Sequence, residues 1–303
     1  VANITAANVA ALRSKTGAGM MDCKKALTEA GGDMEKAVEI LRKKGLSAAA
    51  KKSGRVAAEG AVVSAGDKNR GVLLEINSET DFVAKNENFQ VFCQGVAQAV
   101  LDSSPADLDG LKNAKFPGGK SVAEETTDAI STIGENISIR RFVLFENSTG
   151  VVASYIHGGG KIGVLVELET GGVCNEKIEE LGHQIAMHVA AANPSYLSRD
   201  QVPAAEVEKE KEIMAEKAKA SGKPENIIGK IVDGQINKYF GEICLLEQQF
   251  VIDPDRKVTK VVEGTAKEIG VELKLVRFAR FQLGEGIEKR SDDFAQEVAD
   301  LTK

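Results

Sequence analysis

Residues 61–76, AVVSAGDKNRGVLLEI, hold two apolar-alternating runs around the turn-rich GDKNRG. Residues 151–168, VVASYIHGGGKIGVLVEL, hold two more around a glycine turn. Gly71-Val72-Leu73-Leu74-Glu75-Ile76 matches Gly163-Val164-Leu165-Val166-Glu167-Leu168 at an offset of 92. Alternating apolar runs about such a turn signal a β-hairpin, and self-similarity signals a repeated structural unit. Each hairpin is followed by a helical pattern, near 84–101 and 175–192, and each half closes on a strand mixing Arg and Phe: ISIRRFVLFE at 137–146 and ELKLVRFARF at 272–281. The spacing predicts an α+β core of two related subdomains, each a three-stranded antiparallel sheet with helices on one face.

The interval from helix to closing strand is 36 residues in the first half (101 to 137) and 79 in the second (193 to 272), a surplus of 43. An inserted element accounts for it. Ala204–Ala220 is highly charged and helical, Ser221-Gly222-Lys223-Pro224 breaks it, and Ile227, Ile228, Ile231, Val232, Ile236, Tyr239 and Phe240 form an apolar stripe. This predicts an antiparallel coiled-coil hairpin standing out in solvent, where it touches a second copy or a larger complex.

Ahead of the repeat lies a small helical module. Thr5 is placed to cap a first helix, with Ile4 and Val9 as its hydrophobic staple. A second begins near Met21 and ends at Gly31-Gly32, and Asp33 caps a third that Gly45 is expected to stop. Residues 48–60 read as a connector. After the last strand, Gly284-Glu285-Gly286 is a hinge, and Ser291 opens a helix carrying Phe294, Val298 and Leu301. The expected divisions are 1–54 (three-helix module), 55–148 (first core subdomain), 149–195 with 241–282 (second), 196–240 (inserted hairpin) and 283–303 (C-terminal helical module).

Composition narrows the function classes. At ~150 residues per domain, 303 residues make about two domains, and 43% hydrophobic with 28% charged residues is the balance of a folded soluble chain. A net charge of −6 argues against coating nucleic acid, although residues 1–54 carry +5 by themselves, which marks either a docking surface for an acidic partner or a phosphate backbone or, as is more often the case, a solvated helix surface. No apolar run reaches the roughly 18 residues of a membrane span and no leader pattern opens the sequence, so a cytoplasmic protein is expected. Cys23, Cys93, Cys174 and Cys244 have no zinc-site spacing. Neither a metal nor a cofactor is expected.

Two motifs imitate nucleotide sites. Ala114–Ser121, AKFPGGKS, has the outline of a phosphate loop, but the polar segment before it is no core strand. The glycines of HGGGKIG at 157–163 have dinucleotide-fingerprint spacing, yet a strand follows where a helix is required. His183 and His188, five apart, do not share a helix face as a metal pair would. No catalytic triad or dyad stands out.

Between the second strand and the next helix runs Ser78-Glu79-Thr80-Asp81-Phe82-Val83-Ala84-Lys85-Asn86. Phe82 is either a core anchor, which pattern alone favours, or an exposed aromatic wedge beside a carboxylate. Met20-Met21, in a Gly-flanked turn, poses the same choice.

Six longer strings carry a resemblance: TGAGMMDCKKAL at 16–27, ETDFVAKNENF at 79–89, IGENISIRR at 133–141, HGGGKIGVLVE at 157–167, IAMHVAA at 185–191 and FQLGEGIEK at 281–289. In these, and in their order, the chain resembles the bacterial elongation factor Ts family, the guanine-nucleotide exchange factors of elongation factor Tu. The resemblance implies a ubiquitin-associated-like N-terminal module, the two-subdomain core, the coiled-coil insertion and a C-terminal module. It implies that Thr80, Asp81, Phe82 and Val83 dislodge Mg²⁺ from the partner. It further implies that Ile133 and Gly134 make a second core contact with the partner's GTPase domain, that Met20 and Met21 are contacts of the N-terminal module, and that His157 touches the partner from the other subdomain. It implies no enzyme activity, no direct nucleic-acid contact and no membrane. The stretch 102–121 departs from the family pattern and reads as a surface insertion. The rival readings are a nucleotide hydrolase using AKFPGGKS and a chaperone-like scaffold that binds without changing nucleotide release.

Overall fold

The computed structural model describes residues 4–288. The helix expected from Ser291, and most of the 283–303 module, lie outside the described residues. Three helices open the chain: α1 (Ala6–Thr16), α2 (Met20–Glu29) and α3 (Met34–Lys52). Thr5 caps α1 by accepting from the Asn8 N–H, and Ile4 and Val9 join one small core with Leu12, Cys23, Leu27 and Ala37. The hairpin β1 (Glu59–Gly66) and β2 (Arg70–Ser78) follows, then the single turn α4 (Asp81–Ala84), α5 (Glu87–Ser103), α6 (Leu108–Asn113), α7 (Val122–Ile133) and β3 (Ser138–Glu146). The second half runs β4 (Gly150–His157), β5 (Ile162–Glu169), α8 (Glu176–Ala192), α9 (Ala204–Ala220), α10 (Glu225–Ile243), α11 (Val258–Ile269) and β6 (Lys274–Gln282).

The two sheets, β1-β2-β3 and β4-β5-β6, are antiparallel and built alike. Even their bulges correspond, after Glu75 in one and after Glu167 in the other. On β2 the alternate residues Val72, Leu74 and Ile76 face α5 and α7, and on β5 Val164, Val166 and Leu168 face α8 and α11. Leu73 and Leu165 point the other way, into a third core that joins the sheets face to face through Val62, Phe145 and Val152. Each sheet is therefore covered on both faces, which is why the central strands are buried almost throughout.

A pseudo-twofold arrangement runs through this joint. Arg141 lies 4.3 Å over the Phe281 ring and Arg277 lies 4.1 Å over Phe145, so each sheet lends an arginine to the other's aromatic. Val62 N donates to the carbonyl of Gly160 in the second hairpin turn, while Val152 N donates to Lys68 in the first, at 2.8 and 2.7 Å. Gly71 and Gly163 leave room for side chains of the facing sheet; a Cβ on Gly163 would sit 2.5 Å from Val62 Cγ1. Glu75, fully buried at the joint, accepts from Arg140 (2.9 Å), Arg141 (2.6 Å), Asn77 (3.2 Å) and the Gly284 N–H (2.8 Å). Burial by itself would raise its carboxyl; these donors more than offset that and hold it below the usual range. The bond from Gly284 ties the residues after β6 onto the first subdomain.

Two expectations need correction. Helix α3 does not stop at Gly45 but continues to Lys52. A mid-helix glycine costs about 1 kcal/mol, but the packing of α3 on α7 outweighs it; Thr127 Cγ2 stands 3.6 Å from where a Cβ would be, an ordinary van der Waals contact, so the site has room for alanine. Nor is 102–121 a surface insertion. Leu111 is fully buried in the first core, and Phe116 stacks on Phe92 in space that exists only because residue 95 is glycine. Ser121 then opens α7 with a full capping box to Glu124, worth about 1 kcal/mol. The segment lids the first core. In the second half α9 and α10 pack on each other as a helical hairpin, with Ile228, Val232, Ile236 and Phe240 inside it.

His188 is a core histidine. Its Nδ1 accepts from Val251 N (3.1 Å), and its Nε2 lies 2.9 Å from Gln248 Oε1, an oxygen oriented by the Gln248 amide donating to Glu242 O. That pattern needs the neutral ring, and burial pushes its pKa below the ordinary 6.5, with the Gln248 bond opposing only in part. Between the folded and unfolded values the unfolded chain binds more protons, so stability rises with pH there and is complete above about 6.5. Thermal unfolding followed from pH 7.5 to 5 should show a fall beginning near 6.5 that is shallower in His188→Gln. An equal slope in both proteins would remove His188 as the cause.

Candidate partner-binding surface

The segment after β2 is built to present one side chain. Among the four residues of α4 only Val83 is buried, joining the first core, while Phe82 is 79% exposed. Asp81 is also exposed and lies 3.7 Å from Lys85 one turn on. Of the two readings of Phe82, the core anchor is excluded; Val83 is the anchor.

This segment is fastened to the residues after α7 by crossed carboxylates. Glu135 accepts from both the Thr80 N–H (2.9 Å) and the Thr80 hydroxyl (2.7 Å). Glu79 accepts from Asn136 N at 2.6 Å and faces Arg55 at 3.4 Å, while Asn136 Nδ2 donates to Arg55 O. Gly134, in the left-handed conformation at φ 90°, ends α7 and turns the chain toward this contact. Ile133 packs partly against the first core. Thr80–Val83 and Ile133-Gly134, about fifty residues apart in sequence, thus form one edge.

The N-terminal module leans on the same helix. Arg42 pairs with Glu124, Lys52 Nζ donates to Ile130 O, and a Cβ on Gly17 would be 3.7 Å from Thr132 Oγ1. Gly17 places the turn that leads into Met20 and Met21 at the C-terminal end of α7. Both methionines are exposed, at 57% and 62%. His157, at the end of β4, is exposed and bonds to Tyr155 OH at 3.0 Å, on the hairpin whose turn docks on β1. It belongs to the other subdomain.

The catalytic imitations dissolve. Lys120 of AKFPGGKS pairs with Asp128 (2.6 Å) and Glu125 (3.4 Å), and helix α6, not a strand, precedes the loop. Gly158, Gly159 and Gly160 all have positive φ, as a tight hairpin turn requires. Burial pushes the Cys93 thiol far up and Cys244 to about 11, so neither is a thiolate at neutral pH. No helix among the described residues is long and apolar enough to cross a membrane.

A family model described as "Elongation factor TS" matches residues 79–285, beginning at Glu79 and ending on Glu285, which pairs with Arg141. The chain belongs to the elongation factor Ts family. Curated relatives of that name agree over the whole length. The one from Syntrophotalea carbinolica is 66% identical over 301 residues, covering 99% of each chain. That from Magnetococcus marinus is 53% identical over 99% of each, and that from Clostridium botulinum strain Alaska E43 is 52% identical over 98% of each. The chain is thus a translation elongation factor of mixed helix and sheet.

Glu79, Glu135, Asn136 and Arg55 were not among the expected site residues. Three of them lie in the strings that carry the family resemblance, yet nothing local signals that 79–80 and 135–136 face each other.

Proposed function

We propose that the chain binds elongation factor Tu·GDP and accelerates GDP release, with Thr80, Asp81, Phe82 and Val83 as the segment that disturbs the partner's Mg²⁺ and phosphate site. The observation that carries this reading is Phe82: a large aromatic side chain almost wholly in solvent, on a turn held at both ends, in a chain of this family. A rigid exposed aromatic is the usual form of an interface anchor. In this reading Ile133 and Gly134, on the same edge, and the exposed Met20 and Met21 of the N-terminal module extend the contact, and His157 supplies one from the second subdomain.

The protein acts as an exchange factor, not as a catalyst of bond chemistry. By linkage, a factor that prefers the nucleotide-free partner by a given ratio weakens GDP binding by that same ratio. A thousandfold effect corresponds to about 4 kcal/mol, the scale of one or two buried anchors. The test is stopped-flow release of fluorescent GDP from elongation factor Tu at saturating Mg²⁺ with the protein titrated in. Saturable acceleration is expected. Binding without acceleration would leave the scaffold reading in its place.

A further inference from the structure

The single turn α4 lacks the cap that its sequence offers. Thr80 occupies the N-cap position, where a threonine hydroxyl ordinarily accepts from an amide two or three residues on. Here it makes no such bond and donates instead to Glu135 Oε1. An isolated four-residue helix has no stability of its own, because nucleation costs more than one turn returns. The direction of Phe82 is therefore set from outside the turn. Val83 seats one side of it in the first core, and Glu135 holds its start through two bonds to the same residue.

Glu79 differs from Glu135 in what it holds. Its carboxylate serves Asn136 N and Arg55, fastening the linker from the N-terminal module, and reaches nothing in 80–83. Glu135 is the carboxylate that grips the exposed segment, and it stands two residues beyond the end of α7, the helix on which α3 rests.

We propose that Glu135 is a positioning residue for nucleotide exchange: by taking both the amide and the hydroxyl of Thr80, it fixes the angle at which Phe82 meets the partner. This rests on the exchange reading above. Glu135 itself need not touch the partner or its nucleotide. Its effect passes through Phe82, so it is felt after binding, in the rate at which bound GDP leaves.

The test uses the full chain with Glu135→Ala, Glu135→Gln and Thr80→Val, each alone and combined with Phe82→Ala. In the free protein, hydrogen exchange at the Thr80 amide should be slow and should quicken in Glu135→Ala. In stopped-flow GDP release, Glu135→Ala should lower the saturating rate about tenfold, the scale of a small misplacement. The half-saturating concentration should move less than about twofold. Glu135→Gln keeps an acceptor oxygen and should recover much of the rate. Thr80→Val loses only the hydroxyl bond, should fall between, and serves if Glu135→Ala does not fold. In the Phe82→Ala background Glu135→Ala should cost nothing further. An equal loss in both backgrounds, a change confined to half-saturation, or unaltered Thr80 amide exchange would overturn the proposal while leaving the exchange reading intact. A wild-type chain that does not accelerate GDP release would overturn both.

Discussion

Replacing Phe82 by alanine is expected to reduce the acceleration of GDP release about a hundredfold while leaving thermal unfolding where it was. The two halves of that expectation have separate causes. At 79% exposure the ring contributes almost nothing to the protein's own core, and substitutions at such sites fall within about 0.5 kcal/mol. Buried in a partner, the same ring is an aromatic anchor, and truncating one costs about 2–4 kcal/mol. At about 1.4 kcal/mol per tenfold, the middle of that range is the hundredfold predicted. Asp81→Ala should do much less, since its carboxylate is exposed and its ion pair to Lys85 is a surface one. Wild-type exchange by Phe82→Ala, with the fold intact, would rule out Phe82 as the wedge.

The second large effect concerns the joint between the sheets. Gly163→Val should lower stability by about 3 kcal/mol, the upper end of ordinary overpacking. A Cβ there meets Val62 Cγ1 at 2.5 Å, Leu73 Cδ1 at 2.6 Å and Ile156 Cδ1 at 3.0 Å, and Val62 and Leu73 are fully buried. Gly71→Val should act in the same sense through Val152 and Leu165. Because both sites load one interface, the double variant is not expected to be additive. Gly229→Ala on α10, where nothing lies within 4 Å, supplies the opposite sign, a gain of about 0.5–1 kcal/mol from helix propensity. Denaturant midpoints measure all of these. An unchanged midpoint for Gly163→Val would mean that the sheets can separate without cost.

Much of the architecture was legible because its signals are local. A turn with alternating flanks specifies a hairpin wherever it lies, so β1-β2 and β4-β5, with the repeat they belong to, could be read directly. Thr5 and Asp33 cap their helices through bonds that reach only two or three residues along the chain. The hairpin of α9 and α10 announced itself by its length, its break at residues 221–224 and its stripe. The family strings likewise singled out 80–83 as the segment to propose, by identity of residues and with no need of geometry.

What the sequence could not decide was who faces whom. The run Val72-Leu73-Leu74 is equally apolar whether helices or a second sheet cover the far side, and only the assembled fold shows the sheets back to back with Arg141 and Arg277 exchanged across them. Gly45 carries a local helix penalty, and the packing of α3 along α7 overrides it. Phe116 is one aromatic in a polar stretch until Gly95 opens a place for it. Phe82 and Val83 are adjacent apolar residues, and only the folded turn, whose start at Thr80 meets Glu135 from 55 positions away, shows that Val83 is the buried one. Turns, caps and stripes depend on neighbours a few residues off, so the sequence alone determined them. Burial and the clasp at Thr80 depend on contacts that exist only once distant segments have met, and these the tertiary structure decided.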